Sequence, residues 1–213
     1  YSPLTREQSL QLINGQPLAF TPGSRYSYSN AGYRLLGYAI ESISGKSFAD
    51  FVHHEFALPL GLLDTGVCGT SNLPLPEGYG VFQGKPTRVP AVEPSVAFSA
   101  GALCSTASDL ARWSHLLATG RVVLPASYAA MTTPARLTDN SLVPYGLGLF
   151  LGKQLGRPAA SHTGAINGFQ SSLVYFSDHD IAIAVIVNAL PAPTGTDAHG
   201  IALTVGGAAL ATP

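Results

Sequence analysis

The stretch PGSRYSYSNAGY, residues 22–33, decides how this chain folds. It holds a Pro-Gly turn, three tyrosines and the triplet Tyr28-Ser29-Asn30. The apolar residues that follow keep the i, i+3, i+4 spacing of one helix face and predict a helix from about Asn30 to Ile43. Ser29 or Asn30 can cap that helix, with Tyr28 packed beside it. Alternatively, the phenol of Tyr28 and the amide of Asn30 place a proton-transfer group beside a hydrogen-bonding group, which suits acyl-transfer chemistry.

More helix-start signals surround this stretch. Thr5, Ser47 and Thr106 each open a capping-box pattern, so a helix is expected after each of them. A further short helix is predicted near Pro125 to Met131. Residues 64–100 contain five prolines and few periodic runs. We expect a long irregular segment there, acting as the rim of a site or as an extended cover.

The pattern changes in the last third of the chain. Residues from Phe169 to Phe176 and from Ile181 to Val187 predict two strands, with Ser177 to Asp180 as the hairpin turn between them. Because Ile181 to Val187 has almost no polar face, we expect a central strand buried on both sides. A covering helix is predicted within Thr194 to Leu210. The chain therefore predicts an α/β (α+β) fold: residues 1–140 form a mainly helical lobe, and residues 141–213 form antiparallel strands with a covering helix.

Composition excludes several classes of partner. The 213 residues are 46% hydrophobic and 11% charged, with a net charge of −1. Without a basic patch, nucleic acid and anionic membrane are poor partners. The richest apolar run, residues 181–187, is about a third of the ~20 residues that a membrane span needs. For Cys68 and Cys104 we expect two buried free thiols, with one disulfide as the alternative.

Few other residues indicate chemistry of their own. The adjacent His53 and His54 lie in no metal-binding pattern, and no glycine-rich loop has phosphate-binding spacing, so neither a metal nor a cofactor is predicted. Ser99 has part of the nucleophile elbow of an α/β-hydrolase but lacks its first glycine. The segment His162-Thr163-Gly164-Ala165 offers a titratable ring, a hydroxyl and an approachable backbone N–H, or it is an ordinary polar strand end.

Taken together and in order, the segments resemble the serine β-lactamase and penicillin-binding superfamily. The resemblance is to the class C β-lactamase-related branch, with its DD-peptidases and family VIII esterases, and it covers nearly the whole chain. It implies a β-lactamase/transpeptidase-like fold, with a helical lobe, an antiparallel sheet flanked by helices, and the active site between them. The segments that carry it are Phe20–Gly23, Tyr26–Gly37, Ile43–Phe48, Pro59–Thr65, Ser99–Leu110, Tyr145–Gly148, His162–Gly164 and Val185–Asn188.

The resemblance also implies roles for individual residues. Tyr28 matches the tyrosine that helps to move the proton of the nucleophile, and Asn30 matches the amide that binds substrate and orients a lysine. His162, Thr163 and Gly164 stand where the family has Lys-Thr-Gly and are expected to bind substrate. The backbone N–H of Ala165 is expected to be one of two oxyanion-hole donors.

Two departures from the family limit this expectation. His162 replaces a permanently charged lysine; a histidine side chain, with a reference pKa of about 6.5, carries only part of a charge near neutrality. No Ser-x-x-Lys occurs among the 213 residues. We therefore expect the chain to be the C-terminal portion of a longer enzyme, whose missing N-terminal part, or another chain, supplies the nucleophile and completes the sheet. Relatives of this kind imply a peptide, β-lactam or small ester as substrate and a periplasmic or secreted location.

Two alternatives remain open at this point. Because the nucleophile motif is absent, the chain is alternatively an inactive module of the same fold that binds a peptide-like ligand or a partner. The other is an ordinary α/β-hydrolase that uses Ser99 as its nucleophile.

Overall fold

The computed structural model describes residues 2–70, 75–192 and 196–211. The chain forms two compact units that interleave along the sequence, and the division predicted at residue 140 stays a prediction. The first unit comprises Tyr1–Leu75, Val92–Cys104 and Arg136–Val143, and the second comprises Pro76–Ala91, Ser105–Ala135 and Pro144–Pro213. No helix in the described ranges is both long and apolar enough to cross a membrane.

The first unit is mainly helical. Its helices are α1 (Arg6–Asn14), α2 (Asn30–Ser44), α3 (Phe48–Val52) and the short α4 (Pro94–Ala97). A π-helical turn, His53–Ala57, continues α3, and a 3₁₀ turn, Phe98–Ala100, follows α4. The predicted capping box at Thr5 is present, since the Gln8 N–H donates to Thr5 Oγ1 and the Thr5 N–H donates to Gln8 Oε1.

Short strands complete the first unit. β1 (Gly66–Val67) pairs antiparallel with β4 (Leu103–Cys104). Cys68 and Cys104 form a disulfide, so the expectation of two free thiols is wrong. The cause is the register: Cys104 is paired with Gly66, which brings its Cα to 5.1 Å from that of Cys68, within the usual range for a disulfide. Elsewhere in the chain, the two-residue strands β5 (Ala135–Arg136) and β6 (Leu142–Val143) pair with each other.

The second unit is built on a four-stranded antiparallel sheet. Its strands are β7 (Phe150–Gln154), β8 (Arg157–Ile166), β9 (Phe169–Phe176) and β10 (Ile181–Val187), in the order β10-β9-β8-β7. Helix α7 (Ala198–Leu210) covers one face, where a buried core forms. Its members are Ala159, Val174, Phe176, Ile183 and Ala202.

The strand residues that alternate with these core positions lie on the other face of the sheet and face helix α5 (Ala107–Ala118). Trp113 and Leu117 of α5 enclose a small cavity with Leu173 and Tyr175 of β9. Helix α6 (Pro125–Met131) adds Tyr128 to the same cavity. The predicted irregular segment 64–100 also contains a hairpin of this unit, β2 (Tyr79–Phe82) with β3 (Lys85–Arg88).

The predicted bounds of β9 and β10 are confirmed, whereas the predicted central position of β10 stays a prediction. In the described part of the chain β10 pairs with β9 alone. Helices on both faces of the sheet explain its apolar sequence, because alternate residues contact α7 or α5 whatever the strand's lateral position. The expectation that both faces of this strand are covered is therefore confirmed.

Candidate active site

The triplet Tyr28-Ser29-Asn30 lies at the N-terminus of α2. Ser29 is the N-cap, and its hydroxyl accepts a hydrogen bond of 3.1 Å from the Gly32 N–H. Asn30 is the first helical residue and is exposed, and the Tyr28 residue is 46% exposed. The capping explanation is thus correct for Ser29 alone, and it leaves the Tyr28 phenol and the Asn30 amide accessible to a ligand.

Tyr26 lies two residues before Tyr28 on the same loop. Partial burial raises the pKa of the Tyr26 phenol, and the charges that Tyr28 and Tyr33 would carry when ionised raise it further. Tyr26 therefore stays a neutral phenol well above neutral pH. It provides a natural comparison for Tyr28, since both are exposed tyrosines on the same short loop.

Helix α2 is held in place by Arg34. The guanidinium donates to Ser9 Oγ of α1 at 2.9 Å and to the backbone carbonyls of Ser95 (3.0 Å) and Val96 in α4. One cation therefore satisfies groups from two other helices and fixes the helix that carries the Tyr-Ser-Asn triplet. This role could not be predicted from the sequence, because a single arginine within an amphipathic pattern gives no signal of its own.

Ser99 has a structural position. Its hydroxyl donates to the Tyr33 carbonyl of α2 at 2.9 Å, in a half-buried environment. A Cβ at Gly37 would lie 2.1 Å from Ser99 Oγ, so the glycine permits this close approach. Phe98, which precedes Ser99, has a left-handed φ of 46° and stacks on Tyr38 with ring centroids 4.7 Å apart. The hydroxyl is thus used inside the fold, which removes the basis for Ser99 as a nucleophile.

The His-Thr-Gly segment lies near the end of β8. The register pairs His162 with Leu173, Gly164 with Ser171 and Ala165 with Gln170 of β9. On the other side of β8 the last residue paired with β7 is Ser161, opposite Phe150. Residues 162–166 thus extend past the end of β7, and in the described part of the chain the sheet has no strand beside them on that side.

The direction of the Ala165 N–H follows from the hairpin between β7 and β8. Leu155 and Gly156 both have positive φ, at 52° and 77°, as a two-residue type I′ turn requires. The flanking pair Gln154–Arg157 is then hydrogen-bonded, and bonded and non-bonded pairs alternate along the ladder. Odd-numbered residues of β8 therefore direct their N–H and C=O groups away from β9. At Thr163 and Ala165 these groups point to the side where β7 has ended.

The His162 ring is fixed by two contacts. Its Nδ1 lies 2.7 Å from the Thr163 carbonyl oxygen, and its Nε2 lies 3.2 Å from the hydroxyl of Tyr145. Tyr145 is 7% exposed, and the ring of Phe150 packs against both aromatic groups. Tyr145 belongs to a motif in the sequence, but its contact with His162 could not be predicted, because it joins residues 17 positions apart.

The remaining residues of the segment also have clear positions. Thr163 and Ala165 are exposed. A Cβ at Gly164 would lie 2.4 Å from Ser171 Oγ on β9, so this position requires glycine or a shift of that serine. The structure thus gathers the six predicted site residues into two groups, Tyr28 with Asn30 in the first unit and 162–165 in the second. No group of three or more metal-ligating side chains occurs in the ranges that the structure describes.

The family of the chain follows from comparison with known proteins. The family model described as Beta-lactamase matches residues 1–206, and the chain belongs to this family. The resemblance to the serine β-lactamase and penicillin-binding superfamily is thereby confirmed.

Its curated relatives include D-aminopeptidases. That of Gluconobacter oxydans 621H is 25% identical over 202 residues, which are 93% of this chain and 38% of the relative. That of Brucella canis is 26% identical over 171 residues, which are 79% of this chain and 33% of the relative. The chain therefore spans well under half the length of these relatives.

Solved structures confirm the β-lactamase/transpeptidase-like fold. A D-stereospecific amidohydrolase from Streptomyces sp. is 28% identical, with a TM-score of 0.76 over 88% of this chain and 57% of its own. The D-amino acid amidase of Ochrobactrum anthropi SV3 has a TM-score of 0.80 at 22% identity, over 100% of this chain and 65% of its own. The penicillin-binding protein of Bacillus halodurans has a TM-score of 0.77 at 23% identity, over 96% and 62%. The last two show the fold alone.

Proposed function

We propose that this chain is part of a serine hydrolase that cleaves an amide or ester through an acyl-enzyme. The observation that carries the proposal is the Ala165 N–H, directed to the side of β8 where β7 has ended. A fixed backbone donor in such a position can stabilise the negative oxygen of a tetrahedral intermediate, and removing one such donor typically costs about 3 kcal/mol of barrier.

The other predicted residues have matching roles in this proposal. The accessible phenol of Tyr28 moves the proton of the nucleophile, and the Asn30 amide binds the substrate. The exposed Thr163 hydroxyl lies on the same strand end as Ala165 and contacts the substrate near its acyl oxygen. The nucleophilic serine and its lysine are proposed to lie in the part of the relatives that this chain does not span, because no Ser-x-x-Lys occurs in its sequence.

The relatives favour amides of D-amino acids as substrates. The curated relatives are named D-aminopeptidases, and the amidohydrolase of 28% identity is named D-stereospecific. His162 in place of lysine favours the same choice over β-lactams, because a histidine side chain attracts a substrate carboxylate less strongly than a lysine does.

A periplasmic or secreted location is part of the proposal. The disulfide between Cys68 and Cys104 supports it, because disulfides persist in oxidising compartments and are rare in the cytosol of most organisms.

The proposal is tested with a D-amino acid p-nitroanilide and a p-nitrophenyl ester. Both are assayed with the chain alone and with an upstream segment restored. In the active form, Tyr28→Phe should lower kcat/KM by about 10²- to 10⁴-fold, the usual contribution of a general acid or base. Tyr26→Phe, which removes an exposed phenol two residues away, is the matched control and should leave turnover nearly unchanged. Unchanged turnover in Tyr28→Phe contradicts the role assigned to that residue.

A second candidate function is an inactive module that binds a peptide-like ligand, which the missing Ser-x-x-Lys favours. A fluorophosphonate probe separates the two. Labelling that requires the upstream segment supports the hydrolase. Ligand binding without labelling in either form supports the binding module, and stable labelling of this chain alone shows that it carries a nucleophile of its own.

A further inference from the structure

The hydrogen bonds around His162 determine where its proton lies. A carbonyl oxygen can only accept, so the 2.7 Å contact between Nδ1 and the Thr163 oxygen requires a proton on Nδ1. In the neutral ring Nε2 then carries a lone pair, which accepts from the Tyr145 hydroxyl at 3.2 Å. Which nitrogen of a histidine is protonated is set by the hydrogen bond that the other nitrogen makes.

These two bonds leave the neutral ring with no N–H for a ligand. They also change the edge of β8 that faces away from β9. On that edge the backbone N–H donors and C=O acceptors of the odd-numbered residues otherwise alternate. The Thr163 carbonyl, the acceptor that precedes the Ala165 N–H on that edge, is already paired with the ring. The Ala165 N–H can therefore donate to a developing negative charge with less repulsion from the neighbouring Thr163 carbonyl oxygen, which is already hydrogen-bonded to the ring.

The position of the Tyr145 side chain is fixed by burial and by its neighbours. It is 7% exposed, and its backbone is fixed by a bridge to Phe150 and by a hydrogen bond from the Ala135 N–H to the Tyr145 carbonyl. The Phe150 ring packs edge-on against Tyr145, at 4.8 Å between centroids, and lies 5.2 Å from the His162 ring. The Tyr145 side chain therefore has little freedom to turn away, and its hydroxyl stays beside Nε2 of His162.

We propose that Tyr145 is a positioning residue that acts through His162: its hydroxyl holds the ring in the Nδ1–H form, and the ring pairs the Thr163 carbonyl beside the Ala165 donor. The kinetic consequence rests on the proposed hydrolase function, whereas the position of the proton does not. While the ring is neutral, this arrangement offers no N–H to a substrate carboxylate, so the site should prefer a substrate with a neutral group at this position, such as a carboxamide or an ester.

The proton position is tested by ¹⁵N NMR of histidine-labelled protein at a pH where the ring is neutral. The His162 signals are assigned by their loss in His162→Asn. We expect the proton on Nδ1 in the wild type, and a second population with the proton on Nε2 in Tyr145→Phe, where the accepting nitrogen has lost its donor. Tyr175→Phe removes a phenol that bonds Asp180 in the same unit and is the matched control, with no change expected. A proton on Nε2 in the wild type, or no change in Tyr145→Phe, overturns the proposal.

The kinetic arm uses the active form of the enzyme. Tyr145→Phe should lower kcat by about threefold to tenfold, the worth of one hydrogen bond, with KM nearly unchanged. The wild type should also prefer a substrate with a carboxamide over its carboxylate analogue. An unchanged kcat together with a changed tautomer rejects the positioning role while leaving the hydrolase function intact. Absence of all turnover in the wild type rejects the hydrolase function and leaves the NMR result to decide the proton position.

Discussion

The two groups of site residues are held by different kinds of structure. Tyr28 and Asn30 flank a cap whose hydrogen bond joins residues three positions apart, and the helix behind them is fixed by Arg34 and by a disulfide-closed segment. The segment 162–165 is held by strand register and by Tyr145, 17 positions away, in a unit with a layered core. A local cap needs an external anchor, whereas a strand end is positioned by its sheet. The two units should therefore respond to different perturbations.

The largest expected effect concerns the disulfide. The Cys68–Cys104 bond joins cysteines 36 positions apart, a loop for which the chain-entropy model gives about 4 kcal/mol of stabilisation. The double variant Cys68→Ser, Cys104→Ser should lose that much of its unfolding free energy in urea. Hydrogen exchange should quicken in α2 of the first unit and stay slow in β9 of the second. An equal loss of hydrogen-exchange protection in α2 and in β9 would show that the two units depend on the disulfide equally.

Gly37 tests how closely α2 packs against the Phe98–Ser99 turn. In Gly37→Ala the new methyl would lie 2.1 Å from Ser99 Oγ and 2.8 Å from the Phe98 ring. Overpacking of this kind costs about 1–3 kcal/mol, even though alanine favours the helix. Gly32→Ala in the same helix meets no atom closer than 3.7 Å and should be neutral or slightly stabilising. Urea unfolding of the pair measures the difference.

The double variant Gly37→Ala, Ser99→Gly should recover part of the lost free energy, since it removes the nearer of the two obstacles. If Gly37→Ala is as stable as Gly32→Ala, α2 is not held by close contact with the Phe98–Ser99 turn, and the anchor of the first unit rests on Arg34 and the disulfide.

The same difference explains what the sequence predicts well. Caps at Thr5, Ser29 and Ser47 are confirmed, because a cap is a hydrogen bond between residues three apart and its chemistry is visible in a short window. The bounds of β9 and β10 are confirmed for a similar reason, since period and turn residues are local signals.

The features that the sequence did not predict depend on register. The pairing of Gly66 with Cys104 brings the two cysteines together in the disulfide. The contact between Tyr145 and His162 arises in the same way. Ordering of the motifs along the chain indicated the family, but local patterns carry no information on which distant side chain completes a motif.

The smallest expected effect contrasts two carboxylates, one local and one held by distant partners. A hydrogen bond from the Tyr175 hydroxyl, with a second from His115, lowers the pKa of Asp180 below its ordinary 3.8. Hydrogen bonds from the hydroxyl and backbone of Ser141, two residues away, lower the pKa of Asp139. A lowered folded-state pKa adds stability that is complete above the unfolded-state value and is lost as pH falls through the folded-state value.

Both carboxylates are exposed, so each contribution is small and confined to acid. In unfolding experiments between about pH 5 and pH 2, Asp180→Asn should flatten the acid loss of stability. It should also weaken the link between α5 and the β9–β10 turn, because His115 of α5 contacts this carboxylate. Asp139→Asn should flatten the acid loss without changing hydrogen exchange in α5, since its partners lie within its own turn. If the two variants change hydrogen exchange in α5 equally, the sequence separation between a surface carboxylate and its partners does not determine how that carboxylate stabilises this fold.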